Sequence, residues 1–222
     1  TTTISNATKS FTGTLAAGVA TITGTDTTGD IFNVDGATLG TATFVVTNAI
    51  LQGTAAKLTA KTVTGNGNVE VSALNADLDA DLSSLDNGSG AVSSAFSANG
   101  TFTGNLGTSS VAVANGVTMT TTAAIATTNT ITGSGTLAVT ALNATLGADL
   151  SNNTVTNHTA AFSGSGVFTG DLGDAVVTVA SGQTMTTTAA IATANTINGA
   201  GLVAITSLDA DLDANLAGIT AS

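Results

Sequence analysis

Carboxylates alternate with leucine and alanine in three stretches of this chain. Leu74, Ala76, Leu78, Ala80 and Leu82 alternate with Asn75, Asp77, Asp79 and Asp81. The parity returns at Leu142 to Leu150, where Thr145 and Gly147 replace two of the aspartates and Asp149 remains. It returns again at Leu208 to Leu216, with Asp209, Asp211 and Asp213. A period of two predicts half-buried strands, apolar side inward and carboxylates outward. A helix would gather Leu74, Leu78 and Leu82 into a narrow stripe with aspartates on the flanking faces, and no helix caps mark these stretches. Same-face residues on a strand are about 6.7 Å apart, whereas calcium–oxygen bonds are about 2.3–2.6 Å. One strand therefore does not chelate alone, and two coils or two subunits would complete a site. Asp77, Asp79, Asp81, Asp209, Asp211 and Asp213 are the candidate calcium ligands. A solvated acidic face is the simpler reading of the same rows.

Threonine arrays carry a second chemistry. Thr118, Thr120 and Thr122 share strand parity, as do Thr184, Thr186 and Thr188, which suggests a surface for ice. An ice-binding plane needs such a row on nearly every coil, and the earlier counterpart reads Ile50, Gln52, Thr54. Threonine is also simply a good strand residue. Catalysis finds little support. His158 is the sole histidine, aligned by an offset of 68 with Gly90, and reads as a surface loop residue. With no cysteine, tyrosine or arginine, the usual nucleophile, base and metal constellations are missing. The expectation is that the chain is not an enzyme.

These residues are positioned by a repeat. Ala95-Phe96-Ser97 returns as Ala161-Phe162-Ser163, and the ten residues from Thr118 to Thr127 return at Thr184 to Thr193, both at an offset of 66. Older matches, such as Ala73-Leu74-Asn75-Ala76 with Ala141-Leu142-Asn143-Ala144, lie at 68. A gapless period of this size predicts stacked supersecondary units. The expected organisation is a divergent segment 1–26 followed by repeats 27–94, 95–160 and 161–222 in one solenoid domain. Small-x-Gly pairs such as Gly65/Gly67, Ala98/Gly100 and Gly133/Gly135 recur every 31–35 residues and suggest two half-units per repeat. Asn87-Gly88, Asn115-Gly116 and Asn198-Gly199 are tight-turn candidates, where a β-sandwich would need a hairpin about every ten residues. The predicted fold is all-β, a parallel β-solenoid of about three 66–68-residue repeats, with tandem β-sandwich modules as the alternative.

Composition narrows the partners. At 42% hydrophobic residues but only 3% aromatic, the interior must be filled by Ala, Val, Leu and Ile, which suits a narrow core. Shared parity of Phe96 with Phe102, and of Phe162 with Phe168, predicts an inward aromatic ladder. Three lysines (Lys9, Lys57, Lys61) face 14 acidic residues, for a net charge of −11. Nucleic acid is excluded on that balance, since phosphate neutralisation needs cations. Divalent cations are the fitting counterions, and calcium is the single cofactor suggested. No apolar run approaches the length of a membrane span, so membrane insertion is not expected.

The Thr/Ala/Gly/Val/Asp bias, tandem repeats and missing cysteine resemble those of bacterial repeat-rich extracellular surface proteins, the S-layer, giant-adhesin and filament-subunit types. The resemblance is one of composition and repeat style over about residues 30–222. It implies an extracellular or cell-surface location, a structural role and calcium-dependent assembly, and it carries no particular residue over. Open coil edges also tend to pair with another chain. The expected function is a structural protein that forms a homo-oligomer or polymer, as a filament or surface lattice. The alternative is an adhesin module that binds sugar or ice.

Overall fold

The β-branched and small residues that alternate along the chain form strands whose recorded pairings are all parallel. Val19–Thr23 lies beside Thr43–Thr47, Ile31–Asn33 beside Ile50–Gly53, and Thr118–Thr122 beside the second half of Ile131–Thr140. Parallel neighbours cannot be joined by a tight turn. Here the connection is the remainder of one coil, and paired residues are 17 (Thr159 and Val176) to 24 (Val19 and Thr43) positions apart. The computed structural model describes residues 2–3, 8–85, 88, 90–193, 195–210 and 213–221. Strands make up 43% and helices 11%, and the long parallel sheets are those of an all-β parallel solenoid rather than of tandem sandwiches.

Two compact units are distinguished, Thr1–Ala98 with Phe102–Ala112, and Asn99–Thr101 with Val113–Ser222. In the first, Thr2–Thr3, Val19–Thr23, Thr43–Thr47 and Val63–Gly65 pair in that order. Beside them run Thr8–Ser10, Ile31–Asn33, Ile50–Gly53, Asn68–Val71 and Val92–Phe96. In the second, Thr118–Thr122, Ile131–Thr140 and Thr154–Phe162 lie on successive coils, and Thr184–Thr188 returns 66 residues after the first of these. Register steps of 18, 21 and 17 residues carry the chain from Thr120 through Ala138 and Thr159 to Val176, so the 66-residue period holds more than three coils rather than two half-units. The small-x-Gly pairs mark two different corners of the coil. At one of these, Gly133 and Gly199 take φ of 119° and 110°, backbone that an L side chain resists.

The core is narrow and aliphatic, with Leu51, Val69, Leu137, Val177 and Ile197 at 0% exposure. Phe96, Phe102, Phe162 and Phe168 are all fully buried, as their parity predicts. The stacked pair recorded among the described residues is Phe11–Phe32, with ring centroids 6.1 Å apart.

The Leu/Asp stretches are not the continuous strands that their alternation predicts. Leu74–Ala76, Leu142–Ala144 and Leu208–Ala210 each form one turn of 3-10 helix. The alternation holds only beyond that turn. There Thr103 N–H donates to Leu78 O and Asn105 N–H to Ala80 O, at 2.8 and 2.9 Å. Leu146 and Ala148 accept in the same way from Thr169 and Asp171. The physical reason is a corner of the coil, anchored to the coil that follows. Asn75 Oδ1 accepts from Ser97 N and Oγ, and Asn143 Oδ1 from Ser163 N and Oγ, at 2.9–3.1 Å. Turn-forming asparagine prevails there over the two-residue period.

Among the described residues three short helices also appear: α1 (Ala55–Leu58), α2 (Ala123–Thr128) and α3 (Ala189–Ala192). Thr122 and Thr188 cap α2 and α3, their hydroxyls accepting from Ile125 N and Ile191 N.

Candidate functional site

The acidic residues are placed mostly by turns. Asp81, Asn105, Asp149, Asp171 and Asn215 each precede a leucine and then a small residue. In each, the side-chain oxygen accepts the N–H two positions on, from Ser83, Gly107, Ser151, Gly173 and Ala217, at 2.8–3.1 Å. The leucine carbonyl then accepts from the residue three further on, as in Leu85 to Leu82 and Asn153 to Leu150. Leu82, Leu106, Leu150 and Leu172 are at most 1% exposed, so the motif turns the corner and anchors it in the core. Asx-Leu-small recurs visibly in the sequence, yet alternation alone does not single it out.

This geometry decides what the candidate calcium ligands do. Asp77 closes the 3-10 turn, and its carboxyl shares a hydrogen bond with Asp79. That bond, then burial and the neighbouring charge, hold Asp77 above the usual carboxylate range. Asp81 stands apart as a turn residue. The Ser83 hydroxyl and N–H hold it below the usual range, and Ser151 does the same for Asp149. Asp209 lies within the third 3-10 turn and Asp213 in an exposed turn beyond it. Asp211 lies outside the described residues. For Asp77, Asp79 and Asp81 the expected row on one strand face is therefore not formed. Asp77 and Asp79 form one carboxyl pair, whereas Asp149 and Asp171 are bridge partners through their backbones on successive coils and turn their carboxylates to their own turns. Among the described residues no three acidic or histidine groups are gathered closely enough to hold a metal ion.

Two of the three lysines are engaged with backbone. Lys57 and Lys61 Nζ donate to the carbonyls of Ala37 and Gly40, both at 2.6 Å. A polar ladder crosses the first unit, where Asn33 Nδ2 donates to Gln52 Oε1 and Gln52 Nε2 to Glu70 Oε2. That ladder uses Gln52 at a position where the later repeats have threonine.

The threonine rows stand as expected on the outer face. Thr118, Thr120 and Thr122 alternate with buried Met119 and Thr121, and they pair with Thr136, Ala138 and Thr140.

His158 departs from its sequence reading. It lies inside strand Thr154–Phe162, is 4% exposed, and faces the core beside Leu137. Its Nδ1 is 2.7 Å from Asp174 Oδ1, while Nε2 is buried without a hydrogen-bond partner. The strand register also revises the repeat alignment. Val69 pairs with Val92 as Leu137 pairs with His158, so Val92, not Gly90, is the counterpart.

One sheet edge differs from its counterpart. Strand Leu202–Thr206 pairs with Thr184–Thr188 on one side. Its inward residues Val203 and Ile205 are only half-buried. Leu137 and Val139, at the same positions 66 residues earlier, are 0% and 2% exposed beneath the strand that contains His158 and Ala160. Leu202 and Val167, on the outer face of this small sheet, are 58% and 55% exposed.

No helix among the described residues is long and apolar enough to cross a membrane. Compared with protein-family models, curated proteins and solved structures, the chain matches none.

Proposed function

We propose that this chain is a structural, non-enzymatic protein of an extracellular surface, which associates with further copies of itself through its β-repeat units. One observation carries the reading. On the outer face of the sheet of Gly166–Val167, Thr184–Thr188 and Leu202–Thr206, Val167 and Leu202 are 55% and 58% exposed. Exposed apolar side chains on one sheet face give a partner area to cover. A second copy brings the same face. Calcium enters as a reinforcing ion, because at a net charge of −11 like copies repel one another.

The test compares the full chain with its Leu202→Lys variant by light scattering and electron microscopy, with and without calcium. The reading expects regular fibres or sheets from the parent chain, and dispersed particles with an unchanged circular dichroism spectrum from the variant. Discrete particles from the parent chain at every concentration would refute self-assembly and favour an adhesin module that binds sugar or ice.

A further inference from the structure

We infer that Asn115 is a site of spontaneous backbone-assisted deamidation, and that the corner it occupies is where this protein acquires an isoaspartyl linkage. The inference is independent of the assembly reading. Four described Asn-Gly pairs occur in different settings: Asn66-Gly67, Asn99-Gly100, Asn115-Gly116 and Asn198-Gly199. Asn66 Oδ1 accepts from Asn48 N–H and Gly67 N–H donates to Val46 O, while Asn99 Oδ1 accepts from Thr118 N–H and Gly100 lies in register with Met119. Asn115-Gly116 forms the centre of a turn closed by Val117 N–H on Ala114 O at 3.1 Å. Both residues are exposed, Gly116 has φ of 73°, and a Cβ built on it would meet nothing within 4 Å. Neither the Asn115 side chain nor the Gly116 N–H has a hydrogen-bond partner among the described residues. The nucleophile and the amide it attacks are adjacent, solvated and uncommitted.

Asn198-Gly199 is held. Both residues belong to strand Ile197–Gly199, in register with Thr178 and Val179. Asn198 Oδ1 accepts from Thr178 Oγ1 at 2.9 Å, and Gly199 packs against the backbone of Val179. The ladder must open before its backbone nitrogen can reach the side chain.

The chemistry balances with water alone. The Gly116 nitrogen attacks Asn115 Cγ, a C–N bond forms, and the Cγ–Nδ2 bond breaks. The proton lost from Gly116 leaves with ammonia, giving a cyclic imide. Water then opens either carbonyl of the ring. One product is aspartate, and the other is isoaspartate, whose main chain runs through the former side-chain methylene. Either adds a negative charge, and the second lengthens the two-residue corner ahead of strand Thr118–Thr122. The next repeat keeps the same turn as Ala180-Ser181-Gly182-Gln183, with Gly182 at φ 74° and Gln183 N–H on Ala180 O at 3.1 Å. Serine has no side-chain amide, so that corner cannot react.

The experiment incubates the full chain in mildly alkaline buffer and follows peptides carrying Asn115 and Asn198 by mass spectrometry, with enzymatic detection of isoaspartate. Asn115 is expected to convert roughly ten-fold or more faster than Asn198, because the latter reacts only from a locally opened state. Asn115→Ser, which copies the neighbouring corner, should lose that conversion while keeping the parent circular dichroism spectrum. Equal rates at the two sites, faster conversion at Asn198, or an unreacted Asn115 would each overturn the inference.

Discussion

His158 shows how much a single position can hide. A strand places its imidazole in the core, Asp174 takes one ring nitrogen, and the other is buried among apolar neighbours. A buried polar atom without a partner forfeits its hydration, so the residue is not there for stability. Its counterpart Val92 shows that the coil accepts a β-branched hydrocarbon at this point. His158→Val is therefore expected to fold, with a stability within about 1 kcal/mol of the parent chain or above it. Urea unfolding followed by circular dichroism reads this out, and a loss of several kcal/mol would contradict it. The sequence reading put His158 on the surface because the offset of 68 was carried one coil too far. The offset falls to 66 between Leu137 and the strand of His158, and only the register reveals where.

At the scale of elements, parity and period are legible while corners are not. The inward positions of Thr118–Thr122 and Ser110–Val113 follow from alternation alone. The 3-10 turns at Leu74 and Leu142 do not, because their asparagines are fixed by serines about twenty residues further on, on another coil. Helices α2 and α3 were foreshadowed by a capping threonine before Ala-Ala-Ile-Ala, a signal masked by the threonine-rich strand that leads into it. Close backbone approach is equally silent in sequence. Gly170 packs against the carbonyl of Ala148 on the preceding coil, leaving no room for a Cβ, whereas Gly147 has only the Thr169 hydroxyl near it, at 3.9 Å. Gly170→Ala should accordingly cost about 1–3 kcal/mol as overpacking, and Gly147→Ala far less. Thermal unfolding of the two variants side by side checks the ranking, and equal melting temperatures would contradict it.

For the whole molecule, composition and repeat length were enough to anticipate a parallel, aliphatic-cored stack, because a strictly repeated sequence must reuse one set of contacts. Calcium was harder to read. The aspartates were visible, but whether they face one another depends on turns that orient Asp81 and Asp149 toward their own backbone. Assembly turns on one outer face, where Val167 and Leu202 are exposed. Hydrogen–deuterium exchange across a concentration series tests this most directly. If a second copy covers that face, amides within Leu202–Thr206 gain protection as particles grow, while those of strand Ile131–Thr140 stay unchanged. Growth of assemblies with no gain of protection in Leu202–Thr206 would contradict the account.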